Sequence, residues 1–239
     1  MRVAVIGDVH GTTKWKECYK NIKEKDNDVS RIIVLGDWFD PYFPYSFEEM
    51  KNIYNEFIED SKNDDRIISI LGNHDLSGYI INDGGTNRTS FTNKSSIAKL
   101  IKENLPNSYL VYKIGNYLFS HAGVSKTWYE MTFIPENNAR DYELDLFKKG
   151  WTPDELIHLC YFNKKDTSLC GDSIYQSPIW IRPGSLMRDM LPGYNQVVGH
   201  TQVKEIINLK NYEELEYDLW LVDNQRKPEY LILNIEEGE

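Results

Sequence analysis

The sequence has no apolar run near the ~20 residues needed to cross a bilayer. Its N-terminal stretch MRVAVIGDVHG meets Asp8 too early to serve as a secretory leader. The expectation is a soluble, cytoplasmic protein. Cysteine is scarce, with only Cys18, Cys160 and Cys170, an odd set without a CxxC pair. That excludes a disulfide framework and a thiolate zinc site. Positive charge is also short: Lys and Arg total 27 against 37 Asp and Glu, a formal net charge of −10. Such a surface repels a polyanion unless bound cations reverse the field locally, so extended nucleic-acid binding is disfavoured. There is no internal repeat or low-complexity tract.

What remains is an ordinary globular composition, rich in tyrosine, in a 239-residue chain that can bury a substantial core as one domain over residues 1–239. Several short β-branched runs stop abruptly at polar clusters. Val3–Ile6 precedes GDVHG, Arg31–Leu35 precedes GDWFD, and Ile67–Leu71 precedes GNHD. Tyr117–Ser120 precedes His121, and Gln196–Val198 precedes GHT. These read as buried strands whose ends deliver polar side chains.

Between the first three runs, Trp15, Cys18, Tyr19 and Ile22, then Phe47, Met50, Ile53, Tyr54, Phe57 and Ile58, recur at helical spacing. Ser46 with Glu49 predicts a capping box at the start of the second helix. The alternation predicts an early parallel sheet. A further helix is expected around Ile97–Ile101, and a hairpin around Gly115-Asn116 that turns the second half antiparallel. Thr152-Pro153-Asp154-Glu155 opens a helix within an aromatic segment, about 126–178, read as an insertion facing the site. The tail reads as two closing strands, Leu219–Val222 and Tyr230–Ile235.

Taken singly, each polar cluster has an ordinary reading. Asp8 and His10 suit a helix cap, Asp37 and Asp40 a turn, and His121 or His200 a hydrogen-bonded structural histidine. Their company changes the reading, because four of the five histidines lie at strand ends beside Gly, Asp or Asn. The fifth, His158, falls among Leu156, Ile157 and Leu159 and is assigned to packing. Mixed oxygen and imidazole donors suit Mn, Fe, Zn or Ni, and ligands in open α/β sheets gather beyond the carboxyl ends of strands.

The order DxH, GDxxD, GNHD, H, GH resembles the calcineurin-like metallophosphoesterase superfamily from Asp8 to His200. The string SPIWIRPGS at Ser177–Ser185 is similar to the Trp-x-Arg-Pro segment of bacterial and phage Ser/Thr protein phosphatases and their diadenosine tetraphosphatase relatives. The resemblance implies an α/β fold, a metallophosphoesterase-type α/β/β/α sandwich with mixed sheets, βαβ units and a metal site at strand carboxyl ends. It implies two divalent cations, Mn foremost with Fe, Zn, Ni or Co as alternatives. One would be held by Asp8, His10 and Asp37, the other by Asp37, Asn73, His121 and His200.

By the same resemblance a hydroxide bridging the cations attacks a phosphomonoester, His74 oriented by Asp40 protonates the leaving group, and Asn73 and Arg182 bind the phosphoryl group. The implied partner is a phosphorylated protein or a small phosphoester, with no membrane. Two departures stand out. GDxxD continues into Pro41-Tyr42 instead of Arg-Gly, leaving Arg88 or Arg140 as replacements, and Gln202 stands where phosphodiesterases carry a second histidine. A dinucleoside polyphosphate hydrolase is the alternative enzyme, and an inactive scaffold the alternative outside catalysis.

Overall fold

The computed structural model describes residues 1–41, 46–78, 91–133, 145–160, 172–224 and 227–236. The apolar runs form strands where expected, each stopping at its polar cluster. β1 (Arg2–Ile6), β2 (Arg31–Val34) and β3 (Ile67–Ile70) are linked by α1 (Lys14–Lys25) and α2 (Phe47–Asn63). After α3 (Phe91–Asn104) comes the short β4 (Ser108–Tyr109), which the sequence pattern did not signal. β1 to β4 are parallel, and β10 (Leu231–Asn234) closes the far edge against β1, giving the order β10-β1-β2-β3-β4.

The second sheet has the order β5-β6-β7-β9-β8. β5 (Val111–Ile114) and β6 (Tyr117–Ser120) form the expected hairpin. The expectation that the second half turns antiparallel is corrected beyond that point, since β6 pairs parallel with β7 (Asn195–Val198), and β7 with β9 (Leu219–Leu221). A hairpin turn cannot join parallel strands. The long excursion from His121 to Tyr194, carrying α4 (Lys126–Phe133), α5 (Pro153–Leu159) and α6 (Pro183–Arg188), supplies the crossover instead. The short β8 (Ile207–Asn208) adds antiparallel to β9. The two closing strands of the tail therefore belong to different sheets.

Both faces of the strands are apolar, so alternation assigns partners rather than solvent. Val3, Val5, Ile33, Leu35, Ile68 and Ile70 meet Phe119, Val197 and Val222 of the second sheet. Their neighbours Ala4, Ile6, Ile32 and Val34 pack against Trp15, Ile22, Tyr54 and Phe57 of α1 and α2. On the outer side of the second sheet, Leu186 of α6 joins Val198, Leu219 and Leu221. The result is helices, sheet, sheet, helix.

The Ser46–Glu49 capping box is present, and Thr152 with Glu155 makes another at α5. On α5 the reading of His158 is corrected: Leu156 and Leu159 are buried three residues apart, which turns Ile157 and His158 to the exposed side. Among the described residues no helix is long and apolar enough to cross a membrane. Of the segment at 126–178, residues 134–144 and 161–171 lie outside the described residues, as does Cys170.

Candidate metal centre

The carboxyl ends of β1, β2, β3, β6 and β7 converge, because the first two βα loops continue the parallel ladder past the strands. Val9 N–H donates to Gly36 O at 3.3 Å, His10 N–H to Asp37 O at 2.6 Å and Gly11 N–H to Trp38 O at 2.8 Å. Four non-glycine residues at this end have left-handed backbone: His10 (φ 46°), Asp37 (φ 52°), Asp40 (φ 67°) and His200 (φ 61°). Among the described residues these are the non-glycine residues with positive φ. L side chains enter that region at a cost of about 1–3 kcal/mol each, and such residues cluster where function demands them.

The carboxylate of Asp37 is the hub. Its Oδ2 lies 3.3 Å from His121 Nε2, 3.6 Å from His10 Nε2 and 4.0 Å from His74 Nε2. Asp8 Oδ2 is 3.8 Å from His10 Nε2, and Asn73 Oδ1 is 2.9 Å from His121 Nε2. Donor atoms of Asp8, Asp37 and His121 all lie within 4.8 Å of one another, and all three residues are buried. His200 enters through its backbone, its N–H donating to both Asp8 carboxylate oxygens at 3.1 Å, while its ring lies 5.0 Å from that of His121. This approach needs Gly199, since a Cβ there would stand 2.1 Å from Asp8 Oδ1.

The imidazoles of His10, His121 and His200 each have one nitrogen turned to a backbone carbonyl, which can only accept. His10 Nδ1 faces Phe39 O and Asp40 O at 3.1 Å, His121 Nδ1 faces Leu35 O at 2.8 Å, and His200 Nε2 faces Trp180 O at 3.2 Å. The opposite nitrogens, Nε2 of His10 and His121 and Nδ1 of His200, are the ones free of a carbonyl, the arrangement that orients metal-ligating histidines. On His121 a bound cation would take the place of the proton that Asn73 Oδ1 and Asp37 Oδ2 hold on Nε2.

The electrostatics agree. Burial opposes charge on His121, yet Asp37 and Asp8 outweigh it and raise it to about 10. The cluster thus draws positive charge to its centre. Burial pushes Asp8 up to about 6 and, with the His121 charge and then Arg182 adding to it, holds His200 well below its usual value and neutral. Buried carboxylates beside imidazoles, of which His200 is held neutral and His121 carries the positive charge a cation would replace, fit a divalent cation of the transition series.

His74 Nδ1 sits 2.7 Å from Asp40 Oδ2, so the carboxylate stands behind the ring while Nε2 points toward Asp37. Arg182 stands at the position just before α6, and its Nη1 donates to His200 O at 3.0 Å and to Thr201 Oγ1 at 3.2 Å, so it braces the loop that carries His200. Gln202 is exposed. Arg88 and Arg140 lie outside the described residues.

Sequence reasoning assigned no role to three buried groups. Asp75 accepts N–H donors from Asp37 and Gly72 at 2.9 Å and from Trp38 at 2.8 Å, and burial followed by the Asp37 charge pushes it up to about 7. Lys14 Nζ donates to Asp8 O at 3.3 Å from the first turn of α1, a position that reads as solvated in sequence. Asp223 follows β9 with no exposure, and burial and then Asp8 raise it to about 8. The same rule of a polar residue after an apolar strand would have found it after Leu219–Val222.

Residues 1–204 match the calcineurin-like phosphoesterases, and the chain belongs to that family. Among solved structures, a cold-active protein-tyrosine phosphatase of a psychrophile, Shewanella sp., superposes with a TM-score of 0.57 at 17% identity, over 97% of this chain and 75% of that one. A point mutant of a cold-active protein tyrosine phosphatase gives 0.56 at 18%, over 97% and 74%. A protein serine/threonine phosphatase from Saccharomyces cerevisiae gives 0.46 at 14%, over 93% and 66%, too distant to carry an argument. At such identities the likeness is one of fold. No curated protein matches the sequence. The family makes this chain a metal-dependent hydrolase of phosphoesters.

Proposed function

We propose that the protein is a phosphomonoesterase acting on phosphorylated protein, with Asp8, His10 and Asp37 holding one divalent cation and Asp37, Asn73, His121 and His200 a second, Mn foremost. The observation that carries the reading is the His74–Asp40 pair, 2.7 Å apart, beside a hub carboxylate within 3.3 to 4.0 Å of three imidazole nitrogens. When bound, such cations neutralise phosphoryl charge and make water acidic enough to attack near neutral pH.

The chain's own residues supply the rest. Asp40 fixes the tautomer of His74 and stabilises its charged form, so that Nε2 can give a proton to a departing alkoxide. Asn73 offers its amide nitrogen to a phosphoryl oxygen while its Oδ1 faces His121. Arg182, planar and permanently charged, suits two phosphoryl oxygens once released from the carbonyl of His200. The described part of the 126–178 segment reaches the site's rim at Pro178, whose carbonyl accepts from Ala122 N–H at 2.6 Å, which favours a substrate-facing role for it. A cytoplasmic location goes with this reading.

The test is side-by-side turnover of phosphopeptides, dinucleoside tetraphosphates and p-nitrophenyl phosphate by Mn²⁺-loaded protein. Phosphopeptides should be preferred. A preference for the dinucleotide would move the assignment to polyphosphate hydrolysis, and inertness toward all three with Mn²⁺, Ni²⁺ and Co²⁺ each supplied would leave a scaffold.

A further inference from the structure

The donors of the centre stand on loops, and Asp37 holds left-handed backbone, so something must fix the loop against relaxation. Nothing in the proposed chemistry uses Asp75, yet it has no exposed surface and its carboxylate lies between two donor loops. Its Oδ2 accepts from the N–H of Asp37 and of Gly72, both at 2.9 Å, and its Oδ1 from the N–H of Trp38 at 2.8 Å. The adjacent residue returns the contact: His74 N–H donates to Asp37 Oδ1 at 2.9 Å. Residues 37–38 and 74–75 therefore clasp each other from both sides.

Two glycines make the clasp possible. A Cβ on Gly72 would lie 2.1 Å from Asp37 Oδ1, and one on Gly36 would lie 2.5 Å from Gly72 N and 3.0 Å from Asp75 Oδ2. Water cannot substitute for the carboxylate in so closed a space, and an unmatched buried N–H is costly.

We propose that Asp75 is a positioning residue for the whole centre, setting through these backbone amides where the Asp37 carboxylate and the His74 imidazole stand. The inference rests on the metal reading above and adds to it a residue that touches neither cation nor substrate. Groups that hold ligands in place in this way typically change metal affinity about 10–100-fold when altered.

Asp75→Asn is the sharpest probe, because it keeps the shape but turns one acceptor atom into a donor. Whichever way the amide faces, at least one backbone N–H then meets another N–H. The variant should bind Mn²⁺ about 10–100-fold more weakly in a chelator competition. At saturating Mn²⁺ it should show a lowered kcat for p-nitrophenyl phosphate with little change in KM. Amide exchange at Asp37, Trp38 and Gly72 should quicken. Asp75→Glu, which keeps the charge one methylene away, should fall between the two.

A folded Asp75→Asn protein with a lower Tm but unchanged Mn²⁺ affinity and kcat would overturn the proposal, leaving Asp75 merely structural. Should that variant not fold, Asp75→Glu decides: lowered affinity supports the proposal and wild-type affinity overturns it. If the wild-type protein binds no Mn²⁺, the metal reading itself fails. The clasp is then judged on amide exchange alone, and wild-type exchange at Asp37, Trp38 and Gly72 in Asp75→Asn sinks it.

Discussion

The two sheets contribute to the centre in different ways. In the first, the loops after β1, β2 and β3 brace one another through backbone bonds from Val9, His10 and Gly11 to Gly36, Asp37 and Trp38, and through the carboxylate of Asp75. In the second, His121 and His200 are aligned with each other by Gly199 N–H to His121 O at 2.8 Å, but each also leans on the first sheet. The ring of His121 is oriented by Leu35 O and the amide of His200 by the Asp8 carboxylate. The first sheet is thus the frame and the second docks onto it, which locates the hub in the loop after β2 and makes the second sheet's histidines separable.

The largest effect should come from breaking the frame. Asp37→Asn should deplete both cations, with an affinity loss beyond the roughly 100-fold expected of residues that only support ligands. Elemental analysis checks this, and normal metal content would show that Asp37 is no bridge. A cut in the docked half should be milder: His200→Ala should lower metal content to about half that of the wild type, while Asp8, His10 and Asp37 keep theirs. Equal loss at both positions would erase the distinction between frame and dock.

Smaller still in its reach is His74→Asn, which should reduce kcat about 10²–10⁴-fold while metal content stays near normal. Loss of metal in that variant would refute proton donation as its role. At the bottom of the scale is His158→Ala, outside both halves of the centre on the exposed side of α5, which should shift stability by less than about 0.5 kcal/mol and leave metal content unchanged. A large loss by thermal unfolding would restore the packing role that its exposure denies.

Much of this organisation was legible in advance. A strand that ends in Asp, Asn or His announces itself, because an apolar β-branched run cannot bury those groups and must deliver them to its end. The capping box of Ser46 was equally readable, being a local bargain between residues three apart. The parallel centre of the second sheet was not, because pairing across the excursion from His121 to Tyr194 depends on contacts far apart in sequence. His158 misled for a related reason: its neighbours at 156, 157 and 159 are all apolar, and only the packed fold shows which side of α5 is covered.

The sequence by itself singled out the candidate donors, their order along the chain and the family to which they point. These follow from residue type and from the short reach of strand and turn chemistry. Only the tertiary structure decided that Asp37 is the hub, which nitrogen of His10, His121 and His200 turns to a carbonyl, and that Asp75, Lys14 and Asp223 stand buried behind the candidate donors. Hydrogen bonds between residues as far apart as Asp8 and His200 fix those facts, and such bonds exist only once the two sheets have closed on each other.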